Sequence, residues 1–181
     1  MRQRTAARSV SGLALFTLLA ATPAHATSIE TAGTDMAVAL PLLAGGITLY
    51  KGDLTGTAEL GGDTIGTVGS TYILKNFIKE QRPDKSDFQS FPSDTAALAF
   101  APAQFLWDRY GWEYGLPAYA AALFVGYSRV EAKKHHWWDV ATSAGLSWGF
   151  SKFITTPYRR GFNYSASASP DGVYASVDYR F

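Results

Sequence analysis

From about residue 35 onward the chain reads as apolar blocks rich in Ala, Leu and Gly, separated by short polar breaks. The blocks predict five helices: Asp35–Tyr50, roughly Ala58–Lys79, Thr95–Tyr110, Tyr114–Gly126 and Trp137–Thr155. Gly61-Gly62 is expected to interrupt the second, and Pro102 and Pro117 to kink or start theirs. Gln81–Pro92, with two prolines and the charges of Asp84, Lys85 and Asp87, is the clearest loop. The uncharged runs Met36–Tyr50, Tyr114–Ser128 and Val140–Ser151 fall below the roughly 20 residues that span a bilayer. Together with a mean hydropathy of −0.04, this favours buried core helices, with shallow membrane contact as the lesser option. The pattern changes near the end. Phe162–Ser169 and Val173–Phe181 flank the turn sequence Pro170-Asp171-Gly172, and the last run alternates with period two. The expected fold is all-α: a helical domain over 27–157 with a C-terminal β-hairpin over 158–181, packed on the helical body. The hairpin could also dock an outer-membrane partner or a second copy.

The first 26 residues have a different pattern. Arg2, Arg4 and Arg8 precede the apolar run Leu13–Ala21, and Ala24-His25-Ala26 offers small residues at the positions a signal peptidase reads. This predicts a cleaved secretory signal at 1–26 and an exported chain of the periplasm or cell envelope. Composition then narrows the chemistry. The 181 residues hold 11 Phe, 10 Tyr and 5 Trp, enough for a packed core and too many for a disordered class. A net charge of +1 gives no electrostatic case for nucleic acid. With no Cys there is no thiolate nucleophile, disulfide or thiolate-bound metal.

Three polar clusters stand out. Lys75 and Arg82 are seven residues apart, about two helical turns, so both can face one side of a helix end and converge on a dianion. Pro92-Ser93-Asp94-Thr95 before an Ala-rich run reads as a capped helix start, whose free N–H groups also suit an anion. Ser128-Arg129 is followed by His135 and, four residues on, by Asp139. On a helix these two share a face, so Asp139 can accept the imidazole Nδ1–H and leave Nε2 free as a nucleophile. His136 points about 100° away on the same helix. Metal binding by His135, His136 and Asp139 is disfavoured, because the run is short and no second cluster accompanies it.

Order and spacing are more specific than any one cluster. Lys75-x6-Arg82-Pro83, then Pro92-Ser93, then Ser128-Arg129-x5-His135-x3-Asp139 resembles the type 2 phosphatidic acid phosphatase and vanadium haloperoxidase superfamily over about residues 70–155. The resemblance implies a helical bundle and a phosphohydrolase needing no cofactor or metal. It assigns His135 as the nucleophile forming a phosphohistidine, Asp139 as its orienting carboxylate, and Lys75, Arg82, Ser93 and Arg129 as the phosphate cradle. A phosphorylated small molecule or lipid phosphate is the expected partner.

The second motif departs from the family's Pro-Ser-Gly-His. Thr95 stands where the general-acid histidine should be, and losing such an acid lowers a rate by about 10²–10⁴. Asp94 replaces a glycine; an ionised carboxylate about 4 Å from a phosphate oxygen opposes binding by roughly 4 kcal/mol at an effective dielectric of 20. Three explanations follow: Asp94 is itself the acid, the leaving group needs little protonation, or the chain binds phosphate or phospholipid without turnover.

Overall fold

The computed structural model describes residues 28–158 and the backbone of 162–169 and 172–179. The segment expected to be a signal lies outside them. Five helices run α1 (Ile29–Tyr50), α2 (Leu54–Phe77), α3 (Asp94–Tyr110), α4 (Trp112–Glu131) and α5 (Trp137–Ile154). The starts of α1, α3 and α5 and the ends of α2 and α4 meet at one end of the bundle. α3 packs against all four others, which its sequence permits. Ala96, Ala97, Ala99, Ala101 and Ala103 are fully buried and let neighbouring backbones approach closely, while Phe100, Phe105 and Leu106 fill the remaining space.

Several expectations change. α1 begins six residues early, capped by Ser28 Oγ on the Thr31 N–H, so its 22 residues reach the length and hydropathy of a membrane span despite Glu30 and Asp35. Gly61-Gly62 does not break α2, and Pro102 and Pro117 lie inside continuous helices. α2 ends at Phe77, so Arg82 is carried by the following loop and not by a helix end. α5 begins at Trp137 with His136 at its N-cap, so His135 also sits on a loop.

Beyond the helices the backbone carries two antiparallel stretches, β1 (Phe162–Ser169) and β2 (Gly172–Tyr179), with Phe162 opposite Tyr179. Among the described residues they touch each other and none of the helices. The fold is therefore all-helical, and a hairpin packed on the body as part of it is not supported.

The end of the bundle away from the converging termini is tied by Arg109. It donates to both Asp53 oxygens, to Glu59 and to Thr156. Burial pushes the Asp53 carboxyl up, but hydrogen bonds from Arg109, Tyr110 and the Gly56 N–H outweigh it and hold the group below its ordinary value.

Candidate active site

The sequence places a charge at each converging helix end. Asp94 and Asp139 lie in the first turns of α3 and α5, and Lys75 and Arg129 in the last turns of α2 and α4. Each sign complements its helix dipole. Lys75 is 7 % exposed; its Nζ donates to the Gln89 carbonyl at 2.8 Å and lies 3.6 Å from Asp94 Oδ1. Arg82 and Asp139 are within electrostatic reach of the same ammonium. Arg129 is 6 % exposed and donates to the Glu30 carbonyl at 2.7 Å. Its buried Nε has no partner. An unpaired buried guanidinium N–H is costly unless a ligand oxygen completes it.

His135 is 2 % exposed, and its Nδ1 lies 2.7 Å from the Ser90 carbonyl oxygen. A carbonyl only accepts, so Nδ1 carries a hydrogen, and in the neutral imidazole the lone pair is on Nε2. This is the nucleophilic tautomer, but its main partner differs from the expected one. Asp139 Oδ2 is 3.5 Å from Nδ1, beyond a good hydrogen bond. That oxygen instead accepts from Ser90 Oγ at 2.5 Å and from the His136 N–H at 2.8 Å. Ser90, fully buried, thus engages both members of the pair. The sequence reading missed it. A backbone acceptor leaves no mark on residue type, and the only hint was its place three residues before Ser93.

Ser93 is fully buried, and its hydroxyl caps α3 on the Ala96 N–H. Its N–H reaches the Asp139 carbonyl at 3.4 Å and its carbonyl accepts from Ser143 Oγ at 2.7 Å, joining the starts of α3 and α5. Arg82 is held by Asp87 Oδ1 at 2.7 Å and by the Lys134 carbonyl at 3.3 Å. The Gln89 N–H and then Arg82 hold the Asp87 carboxyl below its usual range. Alongside, Asp84 pairs with Lys134 at 2.8 Å, and the ammonium and the Ser86 donors keep its carboxyl well below the usual range. This depressed-carboxylate contribution is complete above about pH 4 and is lost only as pH falls well below it. The clamp between the two site loops is therefore intact at neutral pH.

Six of the seven expected residues thus gather at this end of the bundle: Lys75 with Asp94, His135 with Asp139, Ser93 bonded to Asp139, and Arg82 within electrostatic reach of Lys75. Arg129 is within electrostatic reach of both Asp94 and Arg82. Such an arrangement offers one neutral imidazole lone pair and three fixed cationic side chains, a set suited to a phosphoryl group.

Comparison with known proteins agrees with this reading. A lipid A 4'-phosphatase of Helicobacter pylori is 32% identical over 131 residues, which is 66% of this chain and 66% of that protein. The chain thus spans about two thirds of the relative's length. The crystal structure of Aquifex aeolicus LpxE superposes with a TM-score of 0.59 at 22% identity, covering 80% of this chain and 97% of that one; at that identity the likeness is one of fold. The sequence model of the PAP2 superfamily matches residues 56–161, which include every cluster described above. The chain belongs to the PAP2 superfamily.

Proposed function

We propose that the protein is a membrane-embedded phosphohydrolase of the cell envelope, acting on a phosphorylated lipid through a phosphohistidine on His135. The observation that carries the reading is the His135 Nδ1 contact with the Ser90 carbonyl, which in the neutral imidazole leaves the lone pair on Nε2. In the first step Nε2 attacks phosphorus, a P–N bond forms and the P–O bond to the leaving group breaks. Asp94, in its protonated form in the substrate complex, gives its proton to the leaving oxygen in place of the histidine absent at Thr95. As carboxylate it takes one back from the water of the second step. Water then hydrolyses the phosphohistidine and releases phosphate. Asp139 acts through Ser90 and the His136 N–H as much as through the imidazole, so it is a positioning residue.

The lipid substrate is supported from two sides. The Helicobacter pylori relative is a lipid A phosphatase, and the helices carry many large apolar residues outward. Leu42, Ile65, Leu123, Trp148 and Phe153 are all more than half exposed, while buried Ala, Ser and Thr line much of the interior beside Phe100, Phe105 and Leu106. Small residues between helices and large ones outside is the arrangement of a bilayer protein. A second reading, phosphate or phospholipid binding without turnover, is favoured by the resting Asp94–Lys75 pair, which occupies a cradle cation.

The test is single-turnover phosphate release by the detergent-solubilised chain from lipid A, a phosphatidate, a prenyl diphosphate and an aryl phosphate. Release from a lipid substrate that disappears in His135→Ala is expected. No release above that variant from any of the four, with vanadate still bound, would leave the binding reading in its place.

A further inference from the structure

The reaction leaves the His136 imidazole unused. This imidazole is about one quarter exposed and stacks flat on Trp138, with ring centroids 4.4 Å apart and 8° between planes. Its Nδ1 lies 3.5 Å from Glu80 Oε1 and 3.5 Å from Asp139 Oδ2. One ligand atom from each of the three residues falls within 4.8 Å of the others. Sequence reasoning found no second ligand cluster near the histidines; folding supplies one by bringing up Glu80 from the loop after α2.

The spacing has chemical meaning. Zinc bonds of about 2.0–2.1 Å in a tetrahedron place neighbouring ligand atoms about 3.3–3.4 Å apart. Two edges of the trio are therefore already near the required length. The ligands are also oriented from outside: Trp138 Nε1 donates to Glu80 Oε1 at 2.8 Å, and Ser90 Oγ and the His136 N–H fix Asp139 Oδ2. The carboxylate keeps spare acceptor capacity on the oxygen that these contacts do not use. Asp139 is fully buried, and its Oδ1 accepts no hydrogen bond.

We propose that Glu80, His136 and Asp139 form an inhibitory site for a borderline divalent cation, with Zn²⁺ as the best match to one imidazole nitrogen and two carboxylates. Binding displaces any proton on His136 Nδ1 and leaves a coordination position for water. The inhibitory consequence rests on the role proposed above for the His135–Asp139 pair: the cation draws Asp139 away from the imidazole and sets positive charge beside the nucleophile. Lys75, within reach of Asp139, opposes the dication, so affinity is lower than in a dedicated structural zinc site.

The experiment uses the full chain in detergent, stripped of metal, titrated with Zn²⁺ against a chromophoric chelator and with Co²⁺ as a visible-absorption probe. One equivalent is expected to bind, with binding abolished in Glu80→Gln and in His136→Ala. Trp138→Phe should weaken it by about tenfold. Because this readout needs no turnover, failure of the site and failure of the phosphatase reading are separable. Absence of Zn²⁺ binding by the native chain, or unchanged binding in both ligand variants, would overturn the site. In parallel, Zn²⁺ should suppress phosphate release by the native chain and spare Glu80→Gln, whose basal rate stays within about twofold of native. Equal suppression in the two would overturn its inhibitory role.

Discussion

The carboxylate of Asp94 sits 3.6 Å from the Lys75 ammonium, where a bound phosphoryl oxygen would compete for the same cation. Asp94→Asn removes the competitor and, on the proposed mechanism, the proton source. The side chain is about one third exposed, so solvent screening takes much of the roughly 4 kcal/mol of bare repulsion. Vanadate binding should tighten by about tenfold while single-turnover release falls by about 10²–10⁴. Weaker vanadate binding would mean that Asp94 holds the anion. Unchanged release would place the proton elsewhere. At this scale the sequence was most informative where chemistry restricts residue type: a cationic cradle and an imidazole have few substitutes. It was silent on Ser90, whose carbonyl sets the imidazole tautomer. Any residue has a carbonyl, so the role has no signature. Ser90→Ala keeps that carbonyl and removes only the hydroxyl to Asp139. It should lower stability by about 1–3 kcal/mol, read by denaturant unfolding, with the imidazole still in the Nδ1–H form by nitrogen NMR.

Among elements, the α1–α4 contact controls the site from a distance. A Cβ on Gly33 would fall 1.8 Å from Ser128 Oγ and 2.6 Å from Ser128 Cβ, and Ser128 is fully buried with its hydroxyl bonded to Val125. Neither side can yield. Gly33→Ala should therefore push α1 off α4, reduce stability by about 1–3 kcal/mol and, by drawing Glu30 from Arg129, weaken vanadate binding. Adding Ser128→Gly removes both obstructing atoms and should restore both; no recovery in the double variant would show that α1 does not position Arg129. Helix number and order were legible in the apolar blocks, but boundaries were not. The polar residues before Asp35, Glu30 among them, hid the first six residues of α1, which Ser28 caps. Gly61-Gly62 reads as a break by intrinsic propensity, yet α2 continues through it. A Cβ at Gly62 would meet Ile154 of α5 at an ordinary 3.6 Å and one at Gly61 would meet nothing within 4 Å, so packing does not require either glycine.

For the molecule as a whole, the distribution of residue sizes outweighs average hydropathy. An average near zero conceals how the residues are distributed, with polar side chains buried among apolar ones and large apolar side chains exposed. Asp63, Thr67 and Thr71 on α2 and Ser143, Ser147 and Ser151 on α5 are all fully buried, while Leu123 and Phe153 face outward. On the proposed membrane placement, brominated acyl chains should quench tryptophan fluorescence of the reconstituted protein, with Trp148→Phe removing part of the effect. Leu123→Lys should sharply reduce the membrane-integrated fraction in cell fractionation. Full insertion of Leu123→Lys, or fluorescence blind to bromine, would put these helices in water. The packing of α3 has a wider consequence. Where alanine and glycine set the distance between helices, tolerance to change is turned inside out: a catalogue of neutral substitutions in this chain should gather at its bulky, greasy positions and avoid its smallest ones. Drift among related sequences should then alter the outer surface of the bundle long before it moves the five helix ends that meet near His135.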